Sequence, residues 1–299
     1  MRREPNDALA AALASRFSVG EEVGRGGASI VYRGSRISDG LVVAIKVLRE
    51  EVAGSVTAER FLREIDIESR LRHEHIVPLL DSGTAGRVPY LVTPFADGGS
   101  LRALLDREHV LPVEEALEIT RDVAAALVCA NAQGIVHRDV KPENILIAGG
   151  RAQLVDFGIA RVLGQLGGER LTESGVVLGT PAYMSPEQGA GDRTLDARSD
   201  LYSLACVLYE MLAGDPPFPG RSMRATIARH ASEAAPSVRI ARPAVPPGVE
   251  YALLRALGKS PDDRFADVAE FARALDTPPP TGWLSPIDAG AAREKHRRR

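Results

Sequence analysis

Over residues 17–47 apolar side chains alternate with polar ones or run in short blocks, as in Ser29-Ile30-Val31-Tyr32 and again over 41–47. Ser38-Asp39-Gly40 separates the blocks as a turn, so this stretch predicts β-strands. The spacing then lengthens. Phe61, Leu62, Ile65 and Leu71 fall near helical intervals, which predicts a helix over residues 58–72. Two short strands are expected next, around 76–81 and 90–93. Beyond Asp97-Gly98-Gly99 the character changes. Ser100 is read as the N-cap of a helix to about residue 106, and 113–133 as a long Ala-rich helix closed by Gly134. Residues 200–213 read as a strongly apolar helix that stops at Gly214, before Asp215-Pro216-Pro217. A strand-rich front third and a helix-rich remainder predict an α+β, bilobal chain. Its smaller lobe is β-rich with one main helix, its larger lobe is helical, and the two join near residues 94–99.

The two ends depart from this pattern. Residues 8–14 form a short apolar run behind Arg2, Arg3, Glu4 and Asp7, read as a leading helix and not as a signal peptide. Thr277-Pro278-Pro279-Pro280 ends the periodicity, and the last seven residues, 293–299, carry five Arg or Lys and one Glu. Trp283 is a candidate for docking this tail onto the larger lobe, and the basic end for a weak contact with anionic membrane.

Composition narrows the chemistry. With 299 residues, 44% of them apolar, the chain can bury a sizeable core. A net charge of −3 gives no overall attraction to nucleic acid, which is not expected as a partner. Cys129 and Cys206 lie far apart in apolar stretches and are expected as buried free thiols of a reducing compartment. His73 and His75 lack partner ligands at metal-binding spacing. No run of 18 apolar residues occurs, so no transmembrane segment is expected and the cytoplasm is the expected location.

Four motifs carry chemistry. In Val23-Gly24-Arg25-Gly26-Gly27-Ala28-Ser29 small residues sit between two predicted strands, where backbone N–H groups can approach phosphate oxygens without a Cβ in the way. Ser29 stands where a strict G-x-G-x-x-G would have its third glycine. Val43-Ala44-Ile45-Lys46 follows, and a lysine there suits nucleotide phosphates; Glu64 and Glu68, one turn apart on the next helix, both remain candidates to orient it. His137-Arg138-Asp139-Val140-Lys141-Pro142-Glu143-Asn144 puts a carboxylate, a cation and a carboxamide into one proline-stiffened loop. The Asp can accept a hydroxyl proton, the Lys can neutralise a moving phosphoryl group, and the Asn can hold a metal. Asp156-Phe157-Gly158 adds a second metal-holding oxygen donor.

In this order the motifs resemble those of the Hanks-type Ser/Thr protein kinases, most closely the bacterial branch, over about residues 17–276. The resemblance implies a kinase domain with an N-lobe over 17–93, a hinge over 94–99 and a C-lobe over 100–276, between a leading segment 1–16 and a tail 277–299. It implies ATP and Mg2+ as cofactors, with Mn2+ as an alternative, and Ser/Thr hydroxyls of proteins as acceptors. Asp139 becomes the catalytic base beside Lys141 and Lys46, with Asn144 and Asp156 on the metal. The family's spacing favours Glu64 over Glu68 as the partner of Lys46. Adenine is expected between Val31, Ala44 and Leu146, with Thr93 behind it and Pro94 and Ala96 supplying hinge backbone groups. Glu187 is expected to pair with Arg264, and Asp200 to brace the catalytic loop; Ser185 replaces the usual Ala of that segment. Arg138 and Arg161 would clamp a phosphate on Thr172 or Ser174, added in trans between kinase molecules. A scaffold that binds nucleotide without transfer is the rival reading, yet Lys46, Asp139, Asn144 and Asp156 are all present. A kinase of small molecules would not need the segment 179–187.

Overall fold

The computed structural model of the chain describes residues 7–26, 29–49, 65, 70–86, 88–157, 181–192 and 194–287. Gly27, Ala28, Glu64, Glu68, Arg161, Thr172, Ser174, most of the helix expected over 58–72 and the basic end lie outside these residues. Within that stretch Ile65 is helical and buried, whereas Arg70 lies in a turn and Leu71 and Arg72 are not helical, so the helix ends before the expected residue 72. The described residues fall into two compact units, the first within 1–98 and 147–179, the second within 99–146 and 180–299.

The first unit is built on one antiparallel sheet of five strands in the order β1-β2-β3-β5-β4. β1 is Phe17–Arg25, β2 Ser29–Arg36, β3 Val42–Leu48, β4 Asp81–Ala85 and β5 Val88–Pro94. Alternation along β3 sends Val43, Ile45 and Val47 into a core with Phe17, Tyr32, Tyr90 and Val92. Helix α1, Asp7–Leu13, adds Leu9 and Leu13 to that same core. Burying two leucines contributes on the order of 1.5–3 kcal/mol each. The leading segment is thus part of the sheet's own packing. Arg16 secures its end, donating to Tyr90 Oη at 2.7 Å and pairing with Asp81. Gly34 is demanded by the fold, because a Cβ there would overlap the Ser18 carbonyl and the Ile45 side chain.

One expected strand is displaced. Residues 76–80 are not a strand: Ile76 makes a single parallel bridge to Leu154, and Pro78 follows two residues later. The strand runs instead through Asp81-Ser82-Gly83-Thr84-Ala85, an edge strand that buries only Ala85 and so carries no apolar alternation. Pro94, expected in the hinge, is the last residue of β5 and pairs in register with Val43.

The second unit is helical. Ser100 accepts from the Ala103 N–H at 3.3 Å to cap α2, Leu101–Glu108. The long helix α3, Val113–Asn131, packs against a helix over Ala197–Ala213. In the latter every residue from Ser199 to Leu212 is buried, so it is surrounded by protein on all sides. Gly214 ends it in the left-handed region with φ 90°. Pro247–Ala256 and Val268–Ala274 complete its surroundings. Beyond them Trp283 stacks edge-on against Tyr251, ring centres 5.6 Å apart, and Ser285 is buried, so residues 277–287 fold back onto this unit. A hairpin of β6, Ile145–Ala148, and β7, Arg151–Leu154, carries the chain from the second unit to the first.

Neither cysteine forms a disulfide, but only Cys206 is buried, and burial pushes its thiol well above its usual pKa. Cys129 corrects the expectation of two buried thiols: it is half-buried, beside the exposed Val128 on the outer side of α3. Among the described residues no helix is long and apolar enough to cross a membrane.

Candidate active site

In the first unit the sheet register gathers the residues expected to meet a nucleotide. Cross-strand partners share a face, and Val31 pairs with Lys46, Lys46 with Leu91, and Ala44 with Thr93. Val31, Ala44, Lys46 and Thr93 therefore line one face of the sheet, opposite the face packed by α1. At the β1–β2 turn, the Gly26 N–H donates to the Ser29 carbonyl at 2.8 Å. Gly24 and Gly26 differ from Gly34: a Cβ on either would meet only ordinary contacts, at 3.9 and 3.8 Å. Among the described residues, packing does not require glycine at those two positions. Val23 and Arg25 flank them on β1, and Arg25 pairs with Glu22 at 2.5 Å.

Lys46 makes its ion pair with Asp156, and both side chains are largely buried. Asp156 adopts φ 68°, a left-handed conformation rare for a residue with a side chain. Phe157, next in sequence, is buried. Within the same unit the Leu154 N–H donates to the His75 carbonyl at 2.9 Å and the Val77 N–H to the Leu154 carbonyl at 3.0 Å. The strand leading to Asp156 is thereby tied to the 73–77 connector. His75 is buried there with Nδ1 on the Ala152 carbonyl at 2.9 Å.

In the second unit the loop 137–144 is built around Asp139. Lys141 Nζ donates to Asp139 Oδ2 at 2.7 Å, and Asn144 Nδ2 donates to the same oxygen at 2.9 Å and to the Asp139 carbonyl at 2.8 Å. Pro142–Asn144 forms a single 3-10 turn, which brings Asn144 back to Asp139. Two acceptors on Nδ2 fix the orientation of the carboxamide and leave its oxygen without a donor among the described residues. Leu146 follows in β6, where it bridges to Ser100.

The loop is held from behind by Asp200, in the first turn of the buried helix. Its two oxygens accept from the backbone N–H groups of His137 and Arg138, each at 2.7 Å. Burial raises the Asp200 pKa above the ordinary carboxylate value, opposed by His137, Arg138 and those two hydrogen bonds. Arg138, like His109 and Asp156 among the described residues, carries a side chain at positive φ, 70°. Gln188 Nε2 donates to the Arg138 carbonyl at 2.8 Å.

Gln188 belongs to the short helix Pro186–Gly189, capped by Ser185. Glu187 in that helix receives Arg264 bidentately, both N–O distances 2.7 Å, and Ser199 Oγ at 2.7 Å. The remaining Arg264 N–H groups reach the carbonyls of Gly258, Arg198 and Lys259. Every guanidinium donor is used. Burial would raise the Glu187 pKa, yet Arg264 and Ser199 hold it below its ordinary value. A second buried carboxylate, Glu210, accepts from Tyr183 Oη at 2.5 Å and from Arg102 at 2.8 Å, fixing the 181–183 turn. Sequence reasoning passed over Gln188 and Glu210. Ser185 followed three residues later by Gln188 is a capping-box signal that could have drawn attention to the first; nothing marked the second. Among the described residues no cluster of three His, Cys, Asp or Glu side chains is placed to hold a metal.

Comparison with known proteins gives the arrangement its context. The family model described as "Protein kinase domain" matches residues 17–260. Serine/threonine-protein kinase PknB of Mycolicibacterium smegmatis is 41% identical over 266 residues, covering 86% of this chain and 42% of that protein. PknB of Mycobacterium tuberculosis is 39% identical with the same coverage of both. Serine/threonine-protein kinase PknD of Mycobacterium tuberculosis is 41% identical over 255 residues, covering 84% of this chain and 38% of that protein. The chain thus spans about two fifths of the length of these curated relatives. On its motifs and these matches, the chain belongs to the bacterial branch of the Hanks-type Ser/Thr protein kinases.

Proposed function

We propose that the chain transfers the γ-phosphoryl group of ATP to Ser and Thr hydroxyls of proteins, with Asp139 as the base. The observation that carries this reading is the asymmetry of the Asp139 carboxylate. Lys141 and Asn144 both donate to Oδ2, while no described residue donates to Oδ1. Oδ1 is thus the oxygen left to accept the hydroxyl proton of a substrate. Lys141 stands beside it to neutralise charge on the phosphoryl group in transit. In the first unit Lys46 meets the α- and β-phosphates, over the face formed by Val31, Ala44 and Thr93, with Pro94 and Ala96 offering hinge backbone groups.

Asn144, through its undonated oxygen, and Asp156 would hold the metal. Such hard oxygen donors suit Mg2+, with Mn2+ as the alternative, and few are needed because phosphates and water complete the shell. When bound, the metal neutralises charge on the phosphates.

Regulation follows from Arg138. Arg138 and Arg161, the latter outside the described residues, are the cations proposed to receive a phosphate on Thr172 or Ser174, which would bring about one to three charge-assisted hydrogen bonds. Phosphorylation in trans requires two kinase molecules to meet, and the basic 293–299 end is the proposed weak contact with anionic membrane.

Incubation with Mg-ATP and a generic protein substrate tests the reading, with phosphosites mapped by mass spectrometry beside an Asp139→Asn control. Phosphoserine and phosphothreonine formed by wild type and lost in Asp139→Asn are the expected result. Activity that survives Asp139→Asn would sink the assignment of the base. Equal rates in wild type and in Thr172→Ala/Ser174→Ala would sink the regulatory part.

A further inference from the structure

Gln188 divides one carboxamide between two pieces of chain. Its Oε1 accepts from the Ser185 N–H at 3.0 Å, while the Gln188 N–H donates to Ser185 Oγ at 3.4 Å, closing the capping box of Pro186–Gly189. Its Nε2 donates to the Arg138 carbonyl at 2.8 Å, fifty positions away in sequence. That carbonyl is half of the peptide plane that leads into Asp139. The Asp139 N–H of the same plane is anchored on His137 Nδ1 at 3.2 Å, and the Arg138 N–H, in the plane before it, is anchored on Asp200 at 2.7 Å. Arg138 holds φ 70°, where a side-chain-bearing residue persists only if its surroundings over-determine it. Of the anchors, Asp200 and His137 come from the helix beneath the loop and from the loop itself. Gln188 alone among them comes from the helix that also carries Glu187.

We propose that Gln188 is a positioning residue of the phosphoryl-transfer reaction. It fixes the 138–139 peptide, and so the direction of the Asp139 carboxylate, only while the 185–189 helix is seated. This rests on the kinase reading above. The base is thereby oriented by the same short element that Arg264 locks through Glu187. Neither group moves a proton to Gln188; its role is wholly through Asp139.

Two substitutions separate positioning from capping. Gln188→Glu keeps an oxygen for the Ser185 N–H and loses the donor to Arg138. Ser185→Ala removes the cap and leaves that donor in place. Both proteins, with Gln188→Met as a second donor-free variant, are assayed for kcat and KM with Mg-ATP. Hydrogen exchange over 137–144 is measured on the same proteins. The expected result is kcat down about 10- to 100-fold in Gln188→Glu and about 10-fold in Gln188→Met, because small misplacements of a reacting group cost that much. KM for ATP stays within about twofold. Ser185→Ala stays within about threefold of wild type in kcat, and exchange over 137–144 rises only in the Gln188 variants. Wild-type kcat in both Gln188 variants, or equal losses in Ser185→Ala, would overturn the proposal in favour of a capping role. An inactive wild type would overturn the kinase reading instead. In that case unequal exchange still supports Gln188 as the anchor, and equal exchange still removes it.

Discussion

The two units hold their chemistry by different means. In the first, Val31, Ala44, Lys46 and Thr93 share a face because strand register puts them there, and a single ion pair joins Lys46 to Asp156. In the second, Asp139 is placed by a loop that has almost no regular structure of its own. Buried polar groups do the positioning: Asp200 beneath it, Gln188 beside it, and the Glu187–Arg264 pair locking the helix that carries Gln188. A sheet needs only alternation to aim a side chain. A loop needs carboxylates and amides spent on its backbone, and each of those must itself be satisfied in the interior. Substitutions should therefore separate stability from activity in the first unit and join them in the second.

The strongest test of that contrast is Arg264→Met. It strands the Glu187 carboxylate, buried beside Ser199, without its cation. Breaking such a pair from one side is expected to destabilise by on the order of 3–5 kcal/mol. Urea unfolding should show a lower midpoint together with lost activity. An unchanged midpoint would mean that the second unit is not braced in this way.

Lys46→Met probes the other side of the comparison. Its ion pair with Asp156 keeps partial solvent contact, so the change in folding stability should stay below about 1 kcal/mol. Turnover should fall by about 10²–10³, the usual effect of removing one group aimed at transition-state charge. A large stability loss with this variant would erase the distinction between the units.

The pH dependence of stability should also be dominated by the second unit. His230 is buried against Phe218, with Nδ1 on Tyr202 Oη at 2.9 Å, and burial, with Lys259 nearby, pushes its pKa down from 6.5 to about 4. The unfolded chain takes up this proton more readily than the folded one. The stabilisation is therefore complete above pH 6.5 and declines as pH falls toward 4. Between pH 7.5 and 5 the loss should be about 2 kcal/mol. Glu187, also held below its ordinary value, extends the decline further, because its contribution is lost as pH falls below 4.5. Denaturant midpoints at pH 7.5 and 5 check this, and His230→Gln should flatten the difference.

Much of the fold could be read from periodicity, because β3 buries the alternate residues Val43, Ile45 and Val47 and the helix ending at Gly214 is largely apolar. β4 could not, since an edge strand of Asp, Ser, Gly, Thr and Ala has one buried side chain and leaves no pattern. Asp139, Asn144 and Asp156 were legible because their chemistry dictates residue type and spacing. The left-handed backbone at Arg138 and Asp156 was not, because nothing in an Arg or an Asp announces a positive φ that surrounding bonds impose. Gln188 and Glu210 escaped for a related reason: each acts on a partner distant in sequence, a carbonyl in one case and a hydroxyl and a guanidinium in the other.

The smallest expected effect concerns the attachment of α1. Arg16 pairs with Asp81 across a surface open to solvent and also donates to Tyr90 Oη. The ion pair is screened and worth little, whereas the hydrogen bond to a phenol that is otherwise buried is worth about 1 kcal/mol. Arg16→Ala should therefore lower stability by about 1 kcal/mol, and Asp81→Asn by less than about 0.5. Neither should alter kcat, since α1 packs on the sheet face opposite Lys46. If Asp81→Asn proved as damaging as Arg16→Ala, the first unit would also depend on charge pairing, and apolar alternation would no longer account for how its sheet is held.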